Sequence, residues 1–219
     1  MSASLTVAFD LTGTLTKHSS SFFAFMAGHA EMTSSRVLSA GHNLFEVARG
    51  VKRCFISTPV IPPSFKRAVL DHVSPLRPSA SAVLTSLRVR GAHVALLSND
   101  PKDALGARVI RYNGLANLFD SMVFPEDVQG LKKPDPSGLL RIINDRADHP
   151  GVVIMVGDKA SDMLTADNAE RVSGARIHRV AVGQESSAAE YIRYDGRGVV
   201  LNRLRELPEV VETISRSMD

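Results

Sequence analysis

The sequence predicts an α/β protein built on a doubly wound parallel sheet, with a small helical domain inserted after the first strand. Three observations carry this. Short apolar runs stop abruptly at polar turns, as buried parallel strands do. Segments of helical period lie between these runs. The interval between the first two runs is far too long for a single crossover helix.

The first strand is Leu5–Phe9, ending at Asp10 and the turn Leu11-Thr12-Gly13-Thr14. Ala92–Leu97 is the second, ending in Ser98-Asn99-Asp100-Pro101. Met122–Phe124 runs into Pro125-Glu126-Asp127, Gly151–Val156 into Gly157-Asp158, and Ile177–Val182 into Gly183. Among the helical segments, Ala80, Val83, Leu84 and Leu87 form one apolar stripe, closed by Gly91. Leu105, Val109, Tyr112 and Leu115 form another, with Gly114 as its breaker. Leu139, Leu140, Ile142 and Ile143 follow Pro136 at a helix start, and a further helix runs from Asp162 to Ala169.

A strand–helix–strand unit takes about 30 residues, so the stretch from Asp10 to Ala92 carries roughly fifty in excess. They read as helices: Phe22, Phe23, Phe25 and Met26; Val37, Leu38, Leu44, Phe45 and Ala48; and Phe65, Ala68, Val69 and Val73. Pro59, Pro62 and Pro63 break the last two apart, and Pro75 and Pro78 mark the return. The expected organisation is a core of residues 1–16 and 77–219 with a helical insert at 17–76.

Composition excludes several classes. With 219 residues, 44% hydrophobic and 22% charged, the chain is neither disordered nor fibrous. A lone Cys54 cannot form an internal disulfide, which favours a reducing compartment. No apolar stretch reaches the roughly 18–20 residues that span a bilayer, and MSASLTVAFD has neither the basic start nor the apolar run of a signal peptide. A cytoplasmic protein without membrane partners is expected. The net charge is only +3, and the basic pairs Lys52-Arg53, Lys66-Arg67, Arg88 with Arg90 and Arg203 with Arg205 are scattered. They read as solvated surface, so no nucleic-acid partner is expected.

In an open parallel sheet, ligands bind beyond the carboxyl ends of the strands. The polar residues at those ends are Asp10, Thr12 and Thr14, then Ser98 and Asn99, then Asp158 and Asp162; Lys133, ahead of a helix, can reach the same edge. Taken singly each is an ordinary turn or helix-start residue. Together they place three carboxylates in one crevice, where they repel unless a cation neutralises them. Hard oxygen ligands at that density suit Mg²⁺. A divalent metal, donors for an anion and a carboxylate able to form an acyl phosphate make up the equipment of phosphoryl transfer.

These residues, in this order, resemble the motifs of the haloacid dehalogenase (HAD) superfamily of Mg²⁺-dependent phosphohydrolases. Phe9-Asp10-Leu11-Thr12-Gly13-Thr14-Leu15 resembles the first motif, Leu97-Ser98-Asn99 the second, Gly130 through Pro136 the third, and Gly157-Asp158 with Asp162 the fourth. Asn117-Leu118-Phe119-Asp120 and Leu204-Arg205-Glu206-Leu207 also match family habits. The resemblance covers residues 4–16 and 76–210 and implies a Rossmann-like core, with the insert as a cap. It implies Asp10 as nucleophile, Lys133 as the cation neutralising nucleophile and phosphate, and Thr14, Ser98, Asn99 and Lys133 as the phosphate-binding set. It also implies Mg²⁺ held by Asp10, the Thr12 backbone carbonyl, Asp158 and Asp162.

One position departs from the family pattern. Its phosphatases carry a second Asp two residues after the nucleophile, as acid for the leaving group and base for water; here that residue is Thr12. Such proton transfer is worth about 10²–10⁴-fold. P-type ATPases share Asp-x-Thr-Gly-Thr-Leu-Thr with residues 10–16, but this chain has no membrane segment to match them. Dehalogenase chemistry is disfavoured, since the usual aromatic residue is absent at position 12. The expected function is hydrolysis of a small phosphorylated metabolite through an aspartyl-phosphate at Asp10. The alternatives are a weak or silent HAD-fold binding protein and a phosphonatase-like C–P hydrolase, for which Lys17, Lys52 or Lys66 would supply the Schiff-base amine. Substrate contacts in the insert would come from His18, Ser19, Ser20, Ser21, Arg49, Lys52 and Arg53.

Overall fold

A computed structural model of the chain describes residues 4–16, 76–102, 108, 110, 111, 113–146 and 150–217. The chain divides into two compact units, 1–17 with 76–219 and 18–75, and all the described residues belong to the first. The predicted insert helices and their candidate contacts His18, Ser19, Ser20, Ser21, Arg49, Lys52 and Arg53 lie outside the described residues. So do Leu105, Val109 and Tyr112 of one predicted helix stripe.

Six parallel strands form one sheet in the order β3-β2-β1-β4-β5-β6, where β1 is Leu5–Phe9, β2 His93–Leu97, β3 Ser121–Val123, β4 Val152–Gly157, β5 Ile177–Val182 and β6 Val199–Leu201. β1 is central, with Ala8 paired to Ala95 of β2 on one side and Met155 of β4 on the other. The order reverses between β1 and β4, which makes their carboxyl ends the topological switch point where ligands of such sheets bind.

The strands are largely apolar because both faces are covered, with Thr6, His93, Ser121, His178 and Arg179 as the exceptions. Val7, Phe9, Val94, Leu96, Val156 and Val180 pack on one face with α1 (Ala80–Val89) and α5 (Leu207–Arg216). Ala8, Ala95, Leu97, Val153 and Met155 pack on the other with α2 (Ser137–Asn144) and α3 (Ala160–Ser173). Beside α3, α4 (Ser187–Asp195) buries Ala188, Ala189 and Ile192 against Met163 and Ala181. Alternate strand residues therefore feed opposite layers, the period of two that a pleated strand imposes.

The predicted strands occupy the sheet with shifts of a residue or so at their ends. Phe124 leaves the β3 ladder to precede a 3₁₀ turn at Pro125–Val128. β6 is the strand that sequence patterning missed. It is three residues long with one buried position, too short to show a period. The stripe of α1 is buried as expected, and Gly91 follows it at φ 81°, the left-handed conformation that favours glycine.

Candidate active site

Asp10 leaves β1 with its amide still donating to Val156 O of β4 at 2.8 Å, so its carboxyl stands at the switch point. Lys133 meets it from the loop before α2. Its Nζ lies 2.5 Å from Asp10 Oδ1, 2.7 Å from Asp162 Oδ1 and 3.0 Å from Leu97 O. The contacts to Asp10 and Leu97 O are hydrogen bonds and the one to Asp162 is an ion pair, and together they fix the cation at the end of β2. Asn99 holds the backbone of Lys133 at both polar groups: its Oδ1 accepts from Lys133 N at 2.7 Å and its Nδ2 donates to Lys133 O at 3.1 Å. From α3, Asn168 Nδ2 donates to Pro134 O at 2.9 Å and supports the same loop.

The acidic side of the site comes from β4 and α3. Asp158 follows β4, and its Oδ1 accepts from Thr14 Oγ1 at 2.9 Å. Asp162 sits in the first turn of α3, and its Oδ2 accepts from Lys159 N at 3.0 Å, an orphan donor of the helix start. Its carboxylate lies directly over the Gly157 Cα, where an added Cβ would collide with it. Gly157 is therefore required for steric rather than conformational reasons.

Ligand oxygens of Asp10, Asp158 and Asp162, all buried, lie within 4.8 Å of one another. Burial pushes the Asp10 carboxyl above its ordinary range, with the Lys133 charge opposing. Asp162 is raised for the same reason, again opposed by Lys133. Burial alone would lower Lys133, but Asp10 and Asp162 outweigh it and hold its ammonium above the usual value. Among the described residues Lys133 is the one buried lysine against these three buried carboxylates, with Lys159 acting on Asp10 more weakly, and Asp10 Oδ2 is buried without a hydrogen-bond partner. A hard divalent cation fits that excess of carboxylates and that free oxygen.

Of the candidate residues, the structure brings Asp10, Lys133, Asp158 and Asp162 into one cluster and joins Thr14 to it. Ser98 caps the end of β2, its amide donating to Val123 O at 3.0 Å. Thr12 differs, for its Oγ1 donates to Asp100 Oδ2 at 2.9 Å. Sequence reasoning passed over Asp100 and Asn168 as parts of the site, and read Gly157 only as part of the fourth motif. Asp100 was legible only as helix-start punctuation; the signal was the carboxylate missing at position 12, which invites a search for another at a neighbouring strand end. Behind this loop, Gly13 takes φ 99°, and its carbonyl accepts from Arg77 Nη2 at 2.6 Å.

Comparison with known proteins follows the same lines. A family model described as haloacid dehalogenase-like hydrolase matches residues 5–170. A phosphoglycolate phosphatase from Vibrio vulnificus is 30% identical over 122 residues, 54% of this chain and 51% of that protein. The match thus spans about half the length of that relative. A phosphoglycolate phosphatase from Vibrio cholerae is 28% identical over 182 residues, 74% of this chain and 80% of that protein. Among solved structures, a subfamily IA HAD-superfamily hydrolase from Geobacter sulfurreducens superposes with a TM-score of 0.58 at 18% identity, covering 95% of this chain and 100% of that one. At that identity the likeness concerns the fold alone.

Proposed function

The chain belongs to the haloacid dehalogenase-like hydrolases, and on that premise we propose that it is a Mg²⁺-dependent phosphatase acting on a small phosphorylated metabolite. The observation that carries the reading is Asp10 itself. It is a buried carboxylate at the switch point, gripped through Oδ1 by Lys133 with Oδ2 unpartnered among the described residues. Asp10 attacks phosphorus, forming an aspartyl-phosphate as the bond to the leaving oxygen breaks and its electron pair departs with that oxygen. Water then attacks the same phosphorus, releasing phosphate and restoring the carboxylate. Lys133 offsets the charge of nucleophile and phosphoryl group, and the Ser98 hydroxyl orients the phosphate oxygens, while Asn99 holds the Lys133 backbone and Thr14 holds Asp158. Asp10, Asp158, Asp162 and the Thr12 carbonyl would hold Mg²⁺, which when bound supplies charge neutralisation at the transferred group.

Residues 17–76 we take as a cap that selects the metabolite. Similarity to the Vibrio proteins brings phosphoglycolate, an alkyl ester, into the test as the counterpart of the aryl and acyl phosphates that Thr12 favours. Helices long and apolar enough to cross a membrane are absent among the described residues. Together with the lone Cys54, this supports a cytoplasmic location. The test is release of phosphate from p-nitrophenyl phosphate and acetyl phosphate, with and without Mg²⁺. Metal-dependent turnover is expected, and its absence on both substrates sinks the reading.

Thr12 favours a second reading, a silent binding protein. Thr12→Asp separates the two. In an enzyme it raises turnover of alkyl esters, by up to about the 10²–10⁴-fold that a positioned proton donor supplies. In a silent protein it restores nothing.

A further inference from the structure

The loops that leave β1 and β2 are joined by a bond that nothing in the family reading of Asp10 requires. Thr12 lies two residues beyond Asp10, and its Oγ1 donates to Asp100 Oδ2 at 2.9 Å across 88 residues of sequence. Asp100 lies two residues beyond Ser98, and its own amide donates to Ser98 Oγ at 3.0 Å. β1 and β2 are neighbours in the sheet, so this chain of bonds closes the carboxyl edge directly beside the nucleophile.

A hydroxyl has one proton and two lone pairs. With its proton committed to Asp100, Thr12 presents only lone pairs to a bound substrate. Ser98 is set the opposite way: its oxygen accepts from the Asp100 amide, so its proton stays available for a phosphate oxygen. The Asp100 backbone orients one hydroxyl and its side chain orients the other.

We propose, resting on the phosphatase reading above, that Asp100 is a positioning residue that fixes Thr12 as a hydrogen-bond acceptor and thereby restricts the enzyme to leaving groups that depart as stable anions. Acyl phosphates and phosphoanhydrides are the substrate class this favours. An alkyl ester expels a basic alkoxide, which needs a donor in the transition state and meets lone pairs instead. No proton moves to or from Asp100 in this scheme. The carboxylate acts by holding the Thr12 proton away from the leaving oxygen.

The experiment compares kcat/KM for acetyl phosphate and ethyl phosphate, similar in size and different in the basicity of the departing oxygen. Wild type is expected to favour acetyl phosphate strongly. Asp100→Ala and Asp100→Leu both remove the acceptor and free the Thr12 proton to donate to the alkoxide. Both should raise the ethyl-to-acetyl ratio by about tenfold, the worth of one hydrogen bond to a developing charge. Both leave the backbone amide of residue 100 and its bond to Ser98 in place, and Asp100→Leu fills much of the same space, which guards against a variant that fails to fold. In a Thr12→Val background neither substitution should move the ratio, because the hydroxyl it controls is gone. A merely structural role would change both substrates together. A ratio that stays put, that falls, or that rises equally in Thr12→Val overturns the inference while wild-type turnover upholds the phosphatase reading. A wild type inactive on both substrates overturns both.

Discussion

The helix α3 carries two buried charge clusters, one in its first turn and one further along, and they are resolved in opposite ways. At the first turn, Asp162 shares the Lys133 ammonium with Asp10, while Asp158 adds a third carboxylate. Further along, Asp167 pairs with the buried Arg179 and accepts from Tyr191 Oη at 2.5 Å. Arg179 also lies 3.0 Å from Glu170 and 3.7 Å from Asp195. The exposed Arg197 reaches Asp195 at 3.0 Å and both Asp167 and Glu170 at 3.8 Å.

The difference lies in what each cluster has left over. Arg179 spreads its charge over a planar fork that engages several carboxylates of α3 and α4, and a second arginine and a phenol join it, so two guanidiniums face three carboxylates while Asp167 Oδ1 and Arg179 Nε stay without hydrogen-bond partners among the described residues. That cluster is a tie between α3, β5 and α4. The cluster at the sheet edge sets one compact buried ammonium against three carboxylates, with Asp10 Oδ2 and Asp162 Oδ1 lacking hydrogen-bond partners among the described residues. Its surplus negative charge is unfavourable in an isolated protein and useful toward a cation and a phosphorus atom.

Breaking the edge cluster should cost activity. Asp10→Asn removes the nucleophile and is expected to lower turnover at least about a thousandfold with circular dichroism unchanged. Turnover above about a tenth of wild type would remove the covalent step from the mechanism. Breaking the interior cluster should cost stability instead. Arg179→Leu strands the Asp167 carboxylate and is expected to lose about 3–5 kcal/mol in urea unfolding, with turnover per folded molecule unchanged. An activity loss in Arg179→Leu at full stability would collapse the distinction.

Metal sharpens the same contrast. Mg²⁺ at about a hundred times its Kd stabilises by about 2.7 kcal/mol, which is roughly 5–10 °C in Tm for a chain of this size. Wild type and Arg179→Leu should show that shift, and Asp158→Ala should not. Equal shifts in wild type and Asp158→Ala would show that the carboxylates are not the ligands. The smallest effect concerns pH. The hydrogen bond to Asp167, helped by burial, raises the Tyr191 phenol above its ordinary 10. A raised acid stabilises the fold fully below its unfolded value, and that contribution is lost as pH rises through the folded one. Unfolding midpoints should fall above pH 10 in wild type, and less steeply in Tyr191→Phe; identical slopes would deny the bond.

Much of this arrangement is legible in the linear chain. Apolar runs that end in an acid, a glycine or a serine mark β1, β2, β4 and β5, because a strand covered on both faces has few polar positions until it leaves the sheet. The same rule puts Asp10, Ser98 and Asp158 at strand ends. The pattern fades where elements are short or their burial is partial. β6 has three residues and one buried position. α4 buries two alanines and an isoleucine, a stripe that barely rises above background. The need for glycine at 157 is invisible, since it arises from a carboxylate lying over its Cα.

The sequence by itself determined the α/β class, the polarity of each strand end and the kinds of group available there. Only the tertiary structure decided the strand order and so which strand ends are neighbours. Lys133 and Asp10 are 123 residues apart in the chain, Thr14 and Asp158 are 144 apart, and Thr12 and Asp100 are 88 apart. Local periodicity reports which side of an element is buried, a property of a few consecutive residues. Which hydroxyl gives its proton to which carboxylate depends on the register between strands, and no run of residues in one strand encodes its partner.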